Sequence, residues 1–288
     1  NCERSRARNG PSRTLKSDEL ELWLADIANR LGADELNRLR DGAREIAESR
    51  GAPWSEWFKT LDGKIGALQG TRDDQLLTPS GIARGTGLPF DTSAVDRFDL
   101  LQSALLANPI LAYPEVDDSN EICAFYEAYF SNFIEGTEFV VEEAERIVFE
   151  GLVPQGRPDD AHDVLATFRA IVNPAKRARV PESAGQLVDY AKDLNRLVLS
   201  ARPEKRPGEF KTVANRAGNT RFVDPELVEG TLHAAWRFIQ TVPPGAARGT
   251  MTMYVISEVH PFADGNGRTA RLMANAELSA ASQPRFLV

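Results

Sequence analysis

The stretch "VHPFADGNGRTARLMANAEL", Val259–Leu278, decides the reading of this chain. It sets a histidine, an acid, two glycines around an asparagine, and two arginines close together in sequence. The run before it, "GTMTMYVISEVH", is apolar nearly all round and predicts a helix buried in the centre of a domain, delivering the chain to His260. The run after it, "GRTARLMANAELSAA", is again helical in pattern. The cluster therefore falls in a loop between two helices. Gly265 and Gly267 around Asn266 leave backbone N–H groups free over the start of the second helix, a site suited to phosphate. Arg268 and Arg271, three residues apart, share a helix face and can clamp further phosphates. Asp264 is a hard oxygen ligand that suits Mg²⁺ beside phosphate, and His260 is placed to act as a general base near neutral pH. Together they point to phosphoryl or nucleotidyl transfer from a Mg²⁺-bound nucleotide. The bland alternative is turn glycines and solvated arginines. It would account for "GNG" alone but not for the whole combination. The P-loop spacing is missing.

Composition narrows the classes. The chain has 288 residues, 42% hydrophobic and 26% charged, which suits one large or two modest globular domains. Its formal charge of -8 argues against a nucleic-acid partner. Cys2 and Cys123 form neither a disulfide framework nor a zinc spacing, and Cys123 is expected as a small core residue. No apolar run approaches a membrane span, and the basic start "NCERSRARNGPSR" lacks the hydrophobic segment of a secretory signal. A reducing, cytoplasmic setting without membrane contact is the expectation.

Along the chain, residues 1–14 are expected to be a disordered tail, and 15–90 a helical region of unassigned role. Within that region "SDELELWLADIANRL" and "ADELNRLRDGAREIAESRG" predict two helices, Trp54 and Trp57 read as aromatic packing, and the Gly-, Thr- and Pro-rich run 63–89 reads as loop or linker. Helical signals return over 95–106. "SNEICAFYEAYFSNFIEGTEF" predicts a helix with an apolar stripe of Ile122, Tyr126, Tyr129 and Phe133, flanked by Phe130 and Ile134 and stopped at Gly136. Further helices are predicted over 141–149, 162–171 and 184–200. "EFKTVANRAGNTRFV" breaks the pattern as a β-hairpin turning at Gly218-Asn219, after which Asp224 is expected to N-cap a helix reaching about Gln240. His162, His233 and the basic run 176–179 carry no site reading.

"HPFADGNGRTAR" resembles the Fic (filamentation-induced-by-cAMP) signature HPFx[DE]GNGRxxR at every defined position. The resemblance extends over about residues 95–288 and implies a mainly α-helical Fic-fold bundle with a small β-hairpin flap. Fic proteins are mostly protein adenylyltransferases, so it implies ATP as substrate, Mg²⁺ as cofactor and a Ser, Thr or Tyr hydroxyl of a target protein as acceptor. Position by position it implies His260 as the base, Asp264 on Mg²⁺, and Asn266 with the amides around Gly265 and Gly267 at the α-phosphate. Arg268 and Arg271 would bind the β- and γ-phosphates, and Phe262 would anchor the loop 260–271 in the core. The segment 210–223 would be the flap that holds a target strand. A kinase relative carries Lys where this chain has Gly267, so glycine favours AMP transfer.

"SNFIEG", Ser131–Gly136, resembles the family's inhibitory motif [ST]xxxE[GN], on a helix spanning 119–136 ahead of the signature. The resemblance implies that Glu135 pairs with Arg271 where the γ-phosphate would lie, with Ser131 and Gly136 completing the motif. Three readings stay open: an autoinhibited adenylyltransferase, a de-AMPylating enzyme using Glu135, and an idle Fic fold acting as a binding module. The family often dimerises, which leaves a homodimer open. The sequence lacks a starting Met and stops at "QPRFLV", where Fic domains usually continue with further helix. The expectation is either an incomplete base pocket or a piece of a longer chain.

Overall fold

A computed structural model describes residues 15–52, 54–110 and 120–287. The chain divides into two compact units, 1–92 and 93–288. No helix of the described residues is long and apolar enough to cross a membrane.

The first unit holds α1 (Ser17–Leu31), α2 (Ala33–Arg50), α3 (Trp54–Leu68) and α4 (Pro79–Gly85). Its core joins Leu20, Leu24, Ile27 and Ala28 of α1 to Leu36 of α2 and to Ile65 and Leu68 of α3. Trp54 and Trp57, half-buried, meet edge-on at 5.1 Å. The run 63–89, expected as loop, is largely helical at both ends. Gly63 and Gly66 are packing glycines, not breakers. A Cβ at Gly63 would lie 2.6 Å from the Asp74 carboxylate, and one at Gly66 2.7 Å from the Arg72 side chain. α4 starts because Thr78 accepts the Gly81 N–H and Pro79 stands in the first turn. Glu21 is fully buried and accepts from Thr78 N and Oγ1, from Leu77 N and from Lys64 Nζ. Burial alone would raise its carboxyl pKa, but these donors together hold it low.

The second unit, whose helix α5 (Thr92–Ala107) begins at the boundary, continues with α6 (Glu121–Phe133), α7 (Val141–Phe149), α8 (Pro158–Val172), α9 (Pro174–Arg177) and α10 (Ala184–Val198). A two-stranded antiparallel ribbon follows, β1 (Arg216–Ala217) and β2 (Thr220–Arg221), then α11 (Val228–Thr241), α12 (Ala246–Val259) and α13 (Asn266–Ala280). The architecture is thus mainly helical with one small hairpin, as expected from the signature.

The most surrounded helix is α13, not α12. α12, α10, α6, α9 and α8 all pack on α13, and Leu272, Met273, Ala274, Ala276 and Leu278 are buried along it. α12 leaves Met253, Tyr254 and Ser257 half-covered. The two helices meet closely at Gly249, where a Cβ would stand 2.9 Å from the Ala274 carbonyl.

α6 corrects the sequence reading in another way. Of its expected apolar stripe only Tyr129 is buried, whereas Ile122, Phe130, Phe133 and Ile134 are exposed. The buried face instead carries Phe125, Glu127, Ser131 and Asn132. Those polar groups find arginines to bond, so their burial costs little, and they set the rotation of the helix. Cys123, expected in the core, lies on the exposed side.

The hairpin is shorter than 210–223 suggested. Arg216 pairs with Arg221 and Ala217 with Thr220, turning at Gly218 with φ +56°. Beyond these pairs Asn215 O still accepts from Phe222 N of the second arm, while the start of the first arm bonds to the signature loop, Lys211 N donating to Pro261 O at 2.9 Å. Asp224 makes no N-cap bond. Its carboxylate accepts from Arg221 at 2.6 Å, and a 3₁₀ turn, Pro225–Leu227, precedes α11.

Candidate active site

The signature loop is built from its ends inward. His260 terminates α12 in a left-handed conformation, φ +51°, with its N–H still bonded to Ile256 O. Gly265, φ +72°, starts α13. Between them Phe262 is buried and tied to Asn266 in both directions. Its N–H donates to Asn266 Oδ1 and its carbonyl accepts from Asn266 Nδ2, each at 2.9 Å. Asn266 therefore uses its side chain to close the loop. Asn195 of α10 fastens the next turn, donating to Asp264 O at 2.9 Å and accepting from Gly208 N. The Asp264 carboxylate accepts from Gly265 N, and its other oxygen lies 3.9 Å from Lys205 Nζ at the half-open surface. No cluster of three or more metal-binding side chains occurs among the described residues. A single half-exposed carboxylate beside a helix N-terminus is nevertheless a donor set that suits Mg²⁺ where phosphate oxygens supply the remaining ligands.

His260 Nδ1 lies 3.2 Å from Ser257 O, which fixes the proton on Nδ1 and leaves Nε2 as acceptor. Burial pushes the imidazole pKa below its ordinary value, and the Lys211 charge adds to that. The Ser257 carbonyl and the Glu135 and Asp264 carboxylates oppose it. A neutral imidazole with a free Nε2 is the form a general base requires.

The two signature arginines have different surroundings. Arg268 is buried and held by Asp163 of α8 at 2.7 Å and by Asn132 Oδ1 at 3.3 Å, with Asp264 at 3.7 Å. Asp163 shares the same oxygen with Arg202 Nε at 3.0 Å, and Arg202 also bonds Asp160 at 2.7 Å. Arg271 is more open and faces the end of α6. Its Nε donates to Ser131 Oγ at 2.9 Å, and its Nη2 donates to Ser131 O at 2.8 Å and to Glu135 Oε1 at 2.7 Å. Gly136, φ +89°, turns the chain just after Glu135. Glu135 also covers the first turn of α13: a Cβ on Gly267 would lie 2.0 Å from its Oε1. The carboxylate thus occupies the place where the helix N-terminus and Arg271 converge on an anion.

The structure brings His260, Asp264, Gly265, Asn266, Gly267, Arg268, Arg271, Ser131, Glu135 and Gly136 into one neighbourhood. His162 lies 3.1 Å from Ser200 Oγ. Sequence reading missed Asp163, Arg202, Asn195, Lys211, Asn215 and Phe222. Asp160 and Asp163 carry one readable signal: acids three apart on an amphipathic helix, one of them on the buried side, require cationic partners.

Residues 186–278 match the model of the Fic/DOC family. Similar curated proteins include a "Protein adenylyltransferase Fic" of Nematostella vectensis, 23% identical over 202 residues, covering 69% of this chain and 47% of that protein. A "Protein adenylyltransferase fic-1" of Caenorhabditis elegans is 25% identical over 170 residues, covering 57% of this chain and 33% of its own. This chain therefore spans a third to a half of the length of these relatives. Among solved structures, a fragment of Fic-1 from C. elegans aligns with TM-score 0.48 at 18% identity, covering 87% of this chain and 84% of that one.

Proposed function

We propose that this chain, a member of the Fic/DOC family through residues 186–278, is a protein adenylyltransferase held off by its own Glu135. The observation that carries the reading is the position of the Glu135 carboxylate, bonded to Arg271 at 2.7 Å and lying over Gly267. An anion of the chain itself sits where the terminal phosphate of ATP would need both groups, so ATP is excluded or displaced from its productive pose.

With Glu135 withdrawn, the chemistry follows from the site. His260 Nε2 takes the proton from a Ser, Thr or Tyr hydroxyl on the target. The hydroxyl oxygen attacks the α-phosphorus, and the bond from that phosphorus to the pyrophosphate oxygen breaks. The products are an AMP ester of the target and pyrophosphate, with the proton on His260 passed on to solvent. The backbone amides at the start of α13 stabilise the charge on the α-phosphate, while Arg268 and Arg271 face the leaving group. Mg²⁺, held by Asp264 and the phosphates, would neutralise the leaving pyrophosphate. A target segment lies along the exposed Arg216–Arg221 ribbon, whose short strands offer an open edge.

The test compares wild type, Glu135→Gly and His260→Ala with ATP labelled at the α- or γ-phosphate. Glu135→Gly takes up α-label, into itself or into a lysate, well above wild type. His260→Ala falls by roughly 10²- to 10⁴-fold in the same background. Label arriving only from the γ-position would make the protein a kinase, and no label from any variant would reject the enzyme reading.

A further inference from the structure

Phe222, next after β2, lies flat on His260, the ring centroids 3.8 Å apart and the planes within 8°. An imidazole offers a neighbour two faces and two nitrogen edges. Here one face is covered by Phe222 and the Nδ1 edge by Ser257 O. The Nε2 lone pair lies in the ring plane, so a ring stacked on the face leaves it open. The arrangement fixes the plane in which Nε2 points without obstructing it.

Phe222 is itself braced to the backbone on either side of that histidine. Its N–H donates to Asn215 O at 3.3 Å, and Asn215 Nδ2 donates to Phe262 O at 3.1 Å. Lys211 Nζ, buried, donates to Asn215 Oδ1 at 2.7 Å and to Val259 O at 3.2 Å, while Lys211 N donates to Pro261 O. Val223, the next residue, is buried and anchors the other side. Hairpin and signature loop are thereby locked through Lys211 and Asn215 to the stretch 259–262, with the histidine between the anchor points. Packing of two exposed loops would not need a buried lysine spent on one backbone carbonyl and one side-chain amide.

We propose that Phe222, held by the Lys211–Asn215 brace, is a positioning residue that sets the plane and the solvent shielding of the His260 imidazole for proton transfer. The proposal rests on His260 being the base of the transfer reaction. Catalysis is sensitive to such geometry because a general base works only within hydrogen-bond reach and alignment of the proton it takes. The groups facing the imidazole are Lys211, Glu135, Asp264 and the Ser257 carbonyl, and Phe222 supplies much of the apolar cover.

The experiment follows the imidazole directly and the reaction separately. Nitrogen and carbon chemical shifts of the three histidines are titrated in wild type, Phe222→Leu and Phe222→Tyr, with His260 identified by its loss in His260→Ala. Leucine keeps the apolar bulk and so the fold, checked by the melting temperature, but removes the ring. In Phe222→Leu the His260 pKa rises toward that of a free histidine and the Nδ1–H tautomer becomes less dominant, whereas Phe222→Tyr restores both. In the Glu135→Gly background, Phe222→Leu lowers kcat roughly 10- to 100-fold with the KM for ATP unchanged, and Phe222→Tyr recovers most of it. Unaltered His260 shifts in a folded Phe222→Leu, or an equal loss of kcat in Phe222→Tyr, would overturn the proposal. If Glu135→Gly alone transfers no AMP, the reading of the reaction fails, while the titration still decides whether Phe222 controls the imidazole.

Discussion

At the scale of single residues, His260 shows how a short motif gains its chemistry only from its surroundings. The histidine is legible in sequence, but its protonation state is set by Ser257, by burial and by Lys211, forty-nine positions away. Lys211 is itself pushed down to about 8 by burial, against a smaller pull from Asp224. At pH 7 it remains largely charged and disfavours a second cation on His260. In the proposed reaction the base must be unprotonated, so activity would fall as pH drops through the His260 pKa, and a lowered pKa would extend it further into acid. Removing the lysine charge raises that pKa. We expect Lys211→Met, in the Glu135→Gly background, to move the acid limb of the kcat/KM profile to higher pH. An acid limb that stays in place or moves lower would refute this coupling. Much of the site could be read from sequence because His260 to Arg271 are contiguous, and their order alone makes a helix end, a turn and a helix start. Phe222 could not be read, since nothing in its own neighbourhood marks it out, and the spacing of Asp160 and Asp163 asks for cations without saying which. Phe222 and Asp163 matter through contacts that only the folded chain creates.

At the scale of elements, α6 and α8 show how polar partners decide a helix's orientation. The apolar stripe of α6 suggested that Phe130 and Phe133 face the core, and its periodicity did identify the helix correctly. Periodicity is blind to ion pairs, however, and here Arg268 and Arg271 of α13 draw Asn132 and Ser131 inward, and Arg285 beyond α13 draws Glu127. The same blindness hid the role of α8, whose Asp163 neutralises Arg268 in the interior. Breaking a buried pair leaves an uncompensated charge, which costs more than the pair itself contributes. Asp163→Asn takes from buried Arg268 its nearest carboxylate, while Arg202 keeps Asp160. We expect it to lower unfolding stability by about 3–5 kcal/mol in urea titrations. It should also raise the KM for ATP in the Glu135→Gly background, because Arg268 loses its fixed position. A variant as stable as wild type would show that Asp163 bears little of the Arg268 charge.

At the scale of the whole second unit, α13 is the common support for site and scaffold. Its first turns meet Glu135 through Gly267 and Arg271, and its later turns hold the segment Gln283–Leu287. Arg285 of that segment bonds both oxygens of Glu127 on α6, at 2.6 and 2.7 Å, and the Asn275 amide pairs with the Phe286 backbone in both directions. α6 is therefore tied to α13 at Glu127 as well as at Glu135. Arg285→Met should loosen α6 and raise AMP incorporation above wild type while Glu135 is intact, with a lower melting temperature. Incorporation at the wild-type level despite that lower melting temperature would show that α6 is held by its motif alone.

Farther along α13, Glu277 imposes a pH dependence on the same scaffold. Its side chain is buried, and one carboxyl oxygen has no hydrogen-bond partner among the described residues. The nearby Arg248 gives its guanidinium to the Val242 and Gln240 carbonyls. Burial raises the carboxyl pKa from 4.5 to about 7, with Arg248 opposing only in part. Below pH 4.5 the carboxyl is protonated in both folded and unfolded chains, and its full contribution is present. As pH rises, the unfolded chain ionises first, so stability is lost until the folded carboxyl ionises near 7. The total is on the order of 3 kcal/mol, at about 1.4 kcal/mol for each step of one in pH between 4.5 and about 7. Glu277→Gln stays neutral throughout. Urea unfolding should therefore find it close to wild type at pH 5 and more stable than wild type at pH 8. An equal difference at the two pH values would mean that Glu277 does not titrate in this range. The carboxyl would then be charged in the fold at both, and some group other than Arg248 would have to balance it.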